Sequence, residues 1–332
     1  MKTIAAPAFA PAAWLRNPHA QTIYGSRWSP RPAPRYRRVR WSTPDHDFID
    51  VDLVDQAAPA SAPWLILFHG LEGSSDSHYA RTLMHWAGAL GWHGAVVHFR
   101  GCSGEPNLLA RAYHSGDSAE IDWVLRRFAA LDPLAQRYAV GVSLGGNALL
   151  KWLGEQETAA ARLLAAAVSV CAPLDLPSAG ASLERGFNRF YAWTFLRTLK
   201  VKAADKALRH PGLLDVARLH AARTMRAFDD VYTAPVHGYH GVDDYWQRAS
   251  SKPELARIEV PTLVINPLDD PFLPAHALPR ADEVAPRVEL CQPRHGGHVG
   301  FVGGGWPGHT YWLTRRIGAF LGVAPPQLPG SP

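Results

Sequence analysis

A serine in a Gly-x-Ser-x-Gly motif is the strongest indication of chemistry in this sequence. The motif spans residues 141–145 and places Ser143 between Gly141 and Gly145. An apolar run precedes it and a helical pattern of apolar residues follows it, which is the strand-turn-helix context of a nucleophile elbow. A turn this tight leaves no room for a Cβ atom at either glycine. We therefore predict that Ser143 is a nucleophile displayed at the edge of a sheet.

A serine hydroxyl is a weak nucleophile, so this prediction requires a histidine base and a carboxylate that orients it. A short glycine pattern also occurs by chance, and these partners therefore decide the interpretation. Both follow Ser143 in the order acid and then histidine, which is the order of α/β-hydrolases. The acid is assigned to Asp270, four residues before Pro274, with Asp269 as the alternative.

The base is assigned within the glycine-rich segment 295–301. His298 follows Gly296 and Gly297, which would let the loop bring its ring to the serine, and His295 is the alternative. A metal site built on the two histidines would need a third ligand, and none stands at a recognisable spacing. We therefore expect neither a metal nor another cofactor.

The oxyanion of an acyl-transfer reaction needs two backbone amides, and the sequence offers a candidate for each. A glycine-bearing loop follows the apolar run 64–68, in the position where α/β-hydrolases place one of these amides. Leu71 is the candidate in that loop, and Leu144, directly after the nucleophile, is the second. Each such donor typically contributes a factor of about 10²–10³ in rate.

Alternating strands and helices surround these residues. Apolar or alternating runs predict strands over 37–42, 48–54, 64–68, 94–98, 138–142, 165–170, 261–266 and 288–290, and helices over about 79–90 and 117–128 and after the elbow. Strands that read as continuous apolar runs are typical of a parallel sheet covered on both faces. The sequence predicts an α/β fold with a mostly parallel central sheet flanked by helices.

The alternation stops after the strand near Val170 and resumes at the strand near Val264, which indicates an insertion over 174–258. Its first half combines aromatic residues with arginines and lysines, and we interpret it as a mainly helical cap over the active site. A helix packed on its own domain and a helix lying on a membrane surface are the alternatives. The remaining assignment is a packed N-terminal arm over 1–34, a core over 35–173 and 259–325, and a flexible tail over 326–332.

Composition limits the class of protein. The chain has 332 residues, 47% of them hydrophobic, and a formal charge of +5. The basic run 35–41 alternates as an edge strand with one solvated face would, so no nucleic-acid partner is expected. Three cysteines without a CxxC pair favour a reducing cytoplasm. Prolines interrupt the N-terminal stretch, and no apolar segment is long enough to span a bilayer, so we expect a cytoplasmic protein without a signal peptide or an integral membrane segment.

Two groups of charged residues are interpreted as structural. The first is a set of acids near the strands 37–42 and 48–54, which lacks the spacing and glycine of a calcium loop and is assigned to a solvated strand face: Asp45, Asp47, Asp50 and Asp52. The second group is expected to form structural salt bridges: Arg100, Asp117, Asp229 and Asp230.

The sequence resembles the YheT-like family of α/β-hydrolases, which is related to the α/β-hydrolase-domain esterases of eukaryotes. The resemblance covers nearly the whole chain and is carried by the elbow and by the segments 17–22, 69–75, 98–105, 113–116, 228–235, 268–274 and 295–301. One departure is His46, where the family usually has glycine between two acids. We expect this turn to have an altered backbone preference.

The resemblance implies the α/β-hydrolase fold and a serine hydrolase acting on esters of short to medium acyl chains. The triad carries over onto Ser143, Asp270 and His298. Some eukaryotic relatives act on phospholipids or fatty-acid esters and carry an N-terminal membrane anchor, which we do not expect here. The predicted partner is a small-molecule acyl ester, and peripheral lipid contact stays open.

The predicted function is that of a serine carboxylesterase. An acyltransferase would use the same triad with an alcohol in place of water. A binding protein on a hydrolase scaffold and a lipase-like enzyme at membranes are further alternatives. Serine at the elbow argues against dehalogenase or epoxide hydrolase chemistry, which in this fold usually depends on an aspartate nucleophile.

Overall fold

The computed structural model describes residues 8–324, and the strands of this range form one sheet. They are β1 (Tyr36–Ser42), β2 (Phe48–Val54), β3 (Trp64–Phe68), β4 (His93–Val97), β5 (Arg137–Val142), β6 (Ala166–Val170), β7 (Thr262–Ile265) and β8 (Val288–Cys291). Their spatial order is β1-β2-β4-β3-β5-β6-β7-β8. Strands β3 to β8 run parallel, and β1 and β2 are antiparallel at one edge. The predicted mostly parallel sheet is confirmed.

Helices connect the strands. They are α1 (Pro18–Arg27), α2 (His78–Ala89), α3 (Ser118–Leu131), α4 (Leu144–Gln156), α5 (Leu176–Leu183), α6 (Asn188–Arg209), α7 (Val216–Ala221), α8 (Met225–Phe228), α9 (Ala234–Val236), α10 (Val242–Ala249) and α11 (Tyr311–Leu321). None of the helices within residues 8–324 has the length and apolar character needed to cross a bilayer. The predicted tail over 326–332 and the first seven residues of the predicted arm lie outside the described residues.

Strands β3 to β7 are buried on both faces of the sheet. Helices α3 and α4 pack on one face and α2 and α11 on the other, through the buried residues Ile121, Val124, Phe128, Leu149 and Trp152 on the first side and Leu83, Met84, Trp86, Leu313 and Ile317 on the second. A parallel sheet needs this double cover because its strands are apolar on both sides. The carboxyl ends of β3 to β8 therefore meet at one edge, where the loops after β3, β5, β7 and β8 come together.

The N-terminal arm contains a helix that the sequence analysis did not predict. It contains α1, which begins after Asn17 because the Asn17 side chain accepts hydrogen bonds from the amides of His19 and Ala20 at 2.9 and 3.1 Å. Apolar periodicity did not reveal this helix because the residues that α1 buries include polar ones. Gln21 and Thr22 face the rest of the molecule and bind backbone groups there.

Strand β1 lies at the sheet edge, as predicted, but the assignment of the neighbouring acids to a solvated face is wrong. Asp50 and Asp52 are only 1% and 3% exposed. Arg40 and Arg38 on β1 bind them across the strand pair at 2.8 and 2.7 Å. Burial alone would raise the pKa of Asp52, but hydrogen bonds led by that from Arg38 outweigh it and lower the pKa.

Arg100 is buried and forms a structural ion cluster, which confirms its predicted role. It contacts Asp45 at 2.9 Å, Asp47 at 3.1 Å and Glu120 at 2.9 Å. Asp47 is buried as well, so it too contradicts the solvated-face interpretation. A buried guanidinium is tolerated only where carboxylates compensate its lost hydration, and Arg100 has three of them.

Two of the other three predicted salt bridges are present, and the third is not. Asp117 and Asp230 have arginine partners, Arg111 at 2.6 Å and Arg218 at 3.2 Å. Asp229 has no basic partner among the described residues, so its predicted salt bridge is wrong. It accepts hydrogen bonds from Trp246 Nε1 at 2.8 Å and Thr233 Oγ1 at 2.7 Å, and burial raises its pKa to about 6.

The turn between β1 and β2 retains a left-handed residue. His46 has a φ of 63°, although it stands where the family usually has glycine. Replacing His46 with glycine should raise the free energy of unfolding by about 0.5–1 kcal/mol, because a left-handed side chain costs more than the extra chain entropy of glycine. Urea unfolding would measure this change. His46→Ala is the control and should bring no such gain; equal stability of the two variants would contradict the strain argument.

The residues between β6 and β7 form helices α5 to α10. Helix α6 is the longest of the described helices and packs against α7 and α8 around a separate apolar cluster, which includes Leu196, Leu199, Leu219, Phe228 and Tyr232. Leu71, from the loop after β3, packs against the same cluster. The insertion therefore contacts the edge of the sheet where the predicted site lies.

Candidate active site

The elbow serine lies between β5 and α4 in a strained conformation. Ser143 has φ 53° and ψ −121°, and α4 begins at Leu144. A Cβ atom on Gly141 would lie 2.5 Å from the carbonyl oxygen of Gly145, and a Cβ atom on Gly145 would lie 2.5 Å from that of Phe68. The two glycines therefore permit the close approach of strand and helix that displays the serine side chain. Strain of this kind is concentrated at functional sites.

The three residues predicted as a triad lie within hydrogen-bond distance of one another. His298 Nε2 is 3.0 Å from Ser143 Oγ, and His298 Nδ1 is 3.0 Å from Asp270 Oδ2. The side chain of Asp270 is fully buried and that of His298 is 10% exposed. This geometry allows the imidazole to accept the serine proton while the carboxylate fixes its tautomer.

The two alternative residues pair with each other instead. His295 Nδ1 lies 3.2 Å from Asp269 Oδ2, and Gly297 N donates to Asp269 Oδ1 at 3.0 Å. Burial is the first cause of a raised pKa at Asp269. Asp269 thus binds the backbone of the loop that carries His298, whereas Asp270 contacts the imidazole itself.

Residues remote in sequence position the histidine loop. Thr22 Oγ1 accepts a hydrogen bond from His298 N at 2.9 Å, and Gln21 Oε1 accepts one from Val302 N at 2.8 Å. The Phe272 ring stacks on His298 with centroids 4.0 Å apart. The polar segment 17–22, which sequence analysis assigned to a family pattern without a role, therefore holds the loop from α1.

The loop after β3 carries Leu71, whose amide is the first of the two predicted oxyanion donors. The amides on either side of Leu71 are occupied, since Gly70 N donates to Tyr79 Oη and Glu72 N to Tyr113 Oη, both at 2.9 Å. Among the described residues, neither the Leu71 amide nor the Leu144 amide has an acceptor. The first amide of a helix such as that of Leu144 has no intrahelical partner. Both remain available to bind a negative oxygen beside Ser143.

Glu72 links this loop to the insertion. It has a φ of 54°, and its Oε1 accepts hydrogen bonds from Tyr113 Oη at 2.9 Å and from Lys202 Nζ on α6 at 2.7 Å. Sequence reasoning missed these three residues, because their contacts join segments about 40 to 130 positions apart. They fix the loop geometry on which the Leu71 amide depends.

One group of possible metal ligands lies at the site. The donor atoms of Cys171, Asp270 and His298 are within 4.8 Å of one another. Burial raises the pKa of the Cys171 thiol well above its usual value, and the thiol accepts a hydrogen bond from Val299 N at 3.3 Å. A protonated, buried thiol is a poor metal ligand, and the other two groups are bonded to each other. The arrangement favours acid-base chemistry over metal binding.

A cavity of about 620 Å³ opens beside the serine. Ser143, Leu144, His298 and Leu71 line one part of it. The insertion supplies mostly apolar side chains to the rest, among them Leu176, Leu183, Phe195, Leu199, Met225 and Phe228. A volume in this range is typical of sites for small molecules, and the apolar walls suit an acyl chain.

A serine on a strand-to-helix turn, followed in the chain by an acid and a histidine from later loops, defines the α/β-hydrolase class. The family model of the alpha/beta hydrolase fold matches residues 63–304. The putative esterase YheT of Escherichia coli is 41% identical over 94% of this chain and 92% of its own length. The chain belongs to the α/β-hydrolase family, in the YheT-like branch.

Further relatives carry the names of ester-processing enzymes. The human phospholipase ABHD3 is 30% identical over 94% of this chain and 78% of its own length. The Saccharomyces cerevisiae medium-chain fatty acid ethyl ester synthase/esterase 2 is 28% identical over 88% of this chain and 67% of its own. The Pyrococcus furiosus esterase Pf2001 superposes with a TM-score of 0.55, covering 97% of this chain and 98% of its own at 15% identity. At that identity the superposition supports the fold alone.

Proposed function

We propose that this protein is a serine carboxylesterase that hydrolyses acyl esters of short to medium chain length. The observation that carries the proposal is the continuous hydrogen-bonded path from Ser143 Oγ through His298 to Asp270, with both contacts at 3.0 Å. The activities for which the human and yeast relatives are named also concern esters. The apolar cavity beside Ser143 supplies a place for the acyl chain.

In the first half-reaction, His298 Nε2 takes the proton of Ser143 as Oγ attacks the ester carbonyl. Negative charge develops on the carbonyl oxygen, and the amides of Leu71 and Leu144 bind it. Asp270 holds the Nδ1 proton and stabilises the imidazolium that forms. Collapse of the intermediate breaks the ester C–O bond, and His298 donates its proton to the leaving alcohol.

In the second half-reaction, water attacks the acyl-enzyme on Ser143. His298 accepts the proton of the water and returns a proton to Ser143 Oγ as the carboxylic acid leaves. The same two amides bind the second oxyanion, so one arrangement serves both steps. If an alcohol replaces water at this stage, the product is a new ester, and the protein acts as an acyltransferase.

The insertion acts as a cap in this proposal. Its helices α5, α6 and α8 line the cavity, and Lys202 on α6 binds Glu72 beside the oxyanion loop. Because the cap supplies much of the cavity wall, it sets the accepted length of the acyl chain. A cytoplasmic location stays a prediction from the cysteine content.

A series of p-nitrophenyl esters from acetate to palmitate tests the proposal. We expect kcat/KM to be highest for short or medium chains and to fall steeply at palmitate, because the cap residues line a cavity of only about 620 Å³. Adding ethanol separates the alternatives, since ethyl ester formed faster than free acid would identify an acyltransferase. A folded protein that is inert with every ester and does not react with a fluorophosphonate would contradict both activities and favour a binding protein.

A further inference from the structure

An exposed aromatic surface lies at the start of the cap helix α6. The side chains of Phe187, Phe190 and Trp193 are 51%, 49% and 53% exposed. Their rings are contiguous, with centroids 5.7 Å apart for the first pair and 5.9 Å for the second. We call these three residues the aromatic patch. Contiguous exposed aromatic residues are unusual in a protein surface unless they meet a partner.

Helix α6 packs on the rest of the cap through the face opposite Phe190 and Trp193. The opposite face of the helix buries Ala192, Leu196 and Leu199 against the rest of the cap. Helix α6 therefore has apolar residues on both faces. On its outer face Phe187 contacts the His19 ring of α1 at 4.8 Å, whereas the rings of Phe190 and Trp193 contact only residues 187–197 within the described part of the chain. A helix packed only on its own domain would have a polar outer face.

Basic side chains surround the patch without neutralising partners. Arg185, Arg189, Arg197 and Lys200 form no ion pair within the described part of the chain, and the Arg197 guanidinium lies over the Trp193 ring at 4.9 Å. Glu184 is the single acid between positions 184 and 201. The surface therefore combines aromatic rings with a net positive charge.

A chain of ring contacts connects the patch with the candidate active site. Phe187 contacts Tyr191 at 5.7 Å, Tyr191 contacts Phe272 at 4.9 Å, and Phe272 stacks on His298 at 4.0 Å. The patch is thus on the side of the molecule that carries the triad. A surface that binds there would lie close to the cavity.

We propose that the aromatic patch docks on the surface of a lipid bilayer that contains anionic lipids. Phenylalanine and tryptophan enter the interfacial region of a bilayer, and arginine and lysine beside them attract anionic headgroups. A second copy of this chain is disfavoured as the occupant, because a two-fold contact would bring the basic rims of both copies together. The proposal goes beyond the esterase activity and needs no turnover.

Vesicle sedimentation tests the docking. The wild-type protein is mixed with vesicles of phosphatidylcholine alone or with added phosphatidylglycerol, beside the double variant Phe190→Ser, Trp193→Ser. Leu134→Ser is the matched control, because Leu134 is 94% exposed and lies just before the first residue of β5, at the opposite end of this strand from Ser143. Because all three side chains are exposed, both variants should fold, which hydrolysis of a water-soluble ester and thermal unfolding check.

The wild type and Leu134→Ser should bind the anionic vesicles at least about tenfold more tightly than the double variant. Binding should weaken in vesicles of phosphatidylcholine alone and at high salt, because headgroup attraction is screened. Equal binding by the double variant, or no binding by the wild type to anionic vesicles, would overturn the proposal. A wild-type dimer that the double variant converts to a monomer would also overturn it and assign the patch to a second copy.

Discussion

Replacement of Ser143 by alanine should lower kcat/KM for ester hydrolysis by a factor of at least about 10⁴, since the atom that forms the acyl-enzyme bond in the proposed mechanism is lost. The amides of Leu71 and Leu144 and the cavity remain, so some rate above the uncatalysed reaction should persist. The fold should persist too, because alanine retains the Cβ atom that already occupies the strained position at φ 53°. Single-turnover kinetics with p-nitrophenyl butyrate would measure the loss.

Ser115 offers a matched control for the Ser143 variant. It lines the same cavity, and its Oγ accepts a hydrogen bond from Asn147 Nδ2 at 3.0 Å, but it has no contact with His298. Ser115→Ala should therefore change kcat/KM by less than about tenfold, the scale of a lost neutral hydrogen bond. If Ser143→Ala retained activity while Ser115→Ala did not, the assignment of the nucleophile would be wrong.

The elbow and the sheet could be predicted because their signals are local. Steric exclusion explains why positions 141 and 145 are glycine, since a Cβ atom at either position would lie 2.5 Å from a neighbouring carbonyl oxygen. The strands β3, β5 and β6 read as apolar runs because both faces of each are buried. In each case the residue type follows from the chain segment itself.

Features that depend on contacts between distant segments could not be predicted. The acids of β2 and of the turn before it look like a solvated face in the sequence, but Arg38, Arg40 and Arg100 compensate them in the interior. Likewise, the bond between Thr22 and His298 joins positions 276 residues apart. Helix α1 escaped prediction for the same reason, since its buried face includes the polar Gln21 and Thr22, whose hydrogen-bond partners lie in a distant loop.

The choice between Asp269 and Asp270 also depends on geometry that the sequence lacks. Both acids follow β7, and either could have reached a histidine in the segment 295–301. The structure places each beside a different ring, with Asp270 on His298 and Asp269 on His295. Only the first of these rings contacts Ser143.

Replacing Asp270 with asparagine should lower kcat/KM by a factor of about 10⁴ through the wrong histidine tautomer. Phe272 N donates to Asp270 Oδ1 at 2.8 Å, so an asparagine would direct its carbonyl oxygen to that amide. Its NH₂ group would then face His298 Nδ1, which must become the acceptor. The imidazole proton would then be on Nε2, and a protonated Nε2 cannot accept the hydroxyl proton of Ser143. The rates of p-nitrophenyl butyrate hydrolysis and thermal unfolding would show a loss of activity without a loss of fold.

Asp269→Asn provides the comparison that separates orientation of the base from support of its loop. The carbonyl oxygen of the new side chain can still accept the hydrogen bond from Gly297 N, and only the negative charge beside the half-exposed His295 is lost. Since exposed pairs of this kind contribute at most about 1 kcal/mol, the rate should fall by less than about tenfold. If kcat/KM fell further in Asp269→Asn than in Asp270→Asn, the assignment of the acid would be reversed. The acid that fixes the histidine tautomer must be the one whose replacement by asparagine prevents the histidine from acting as a base.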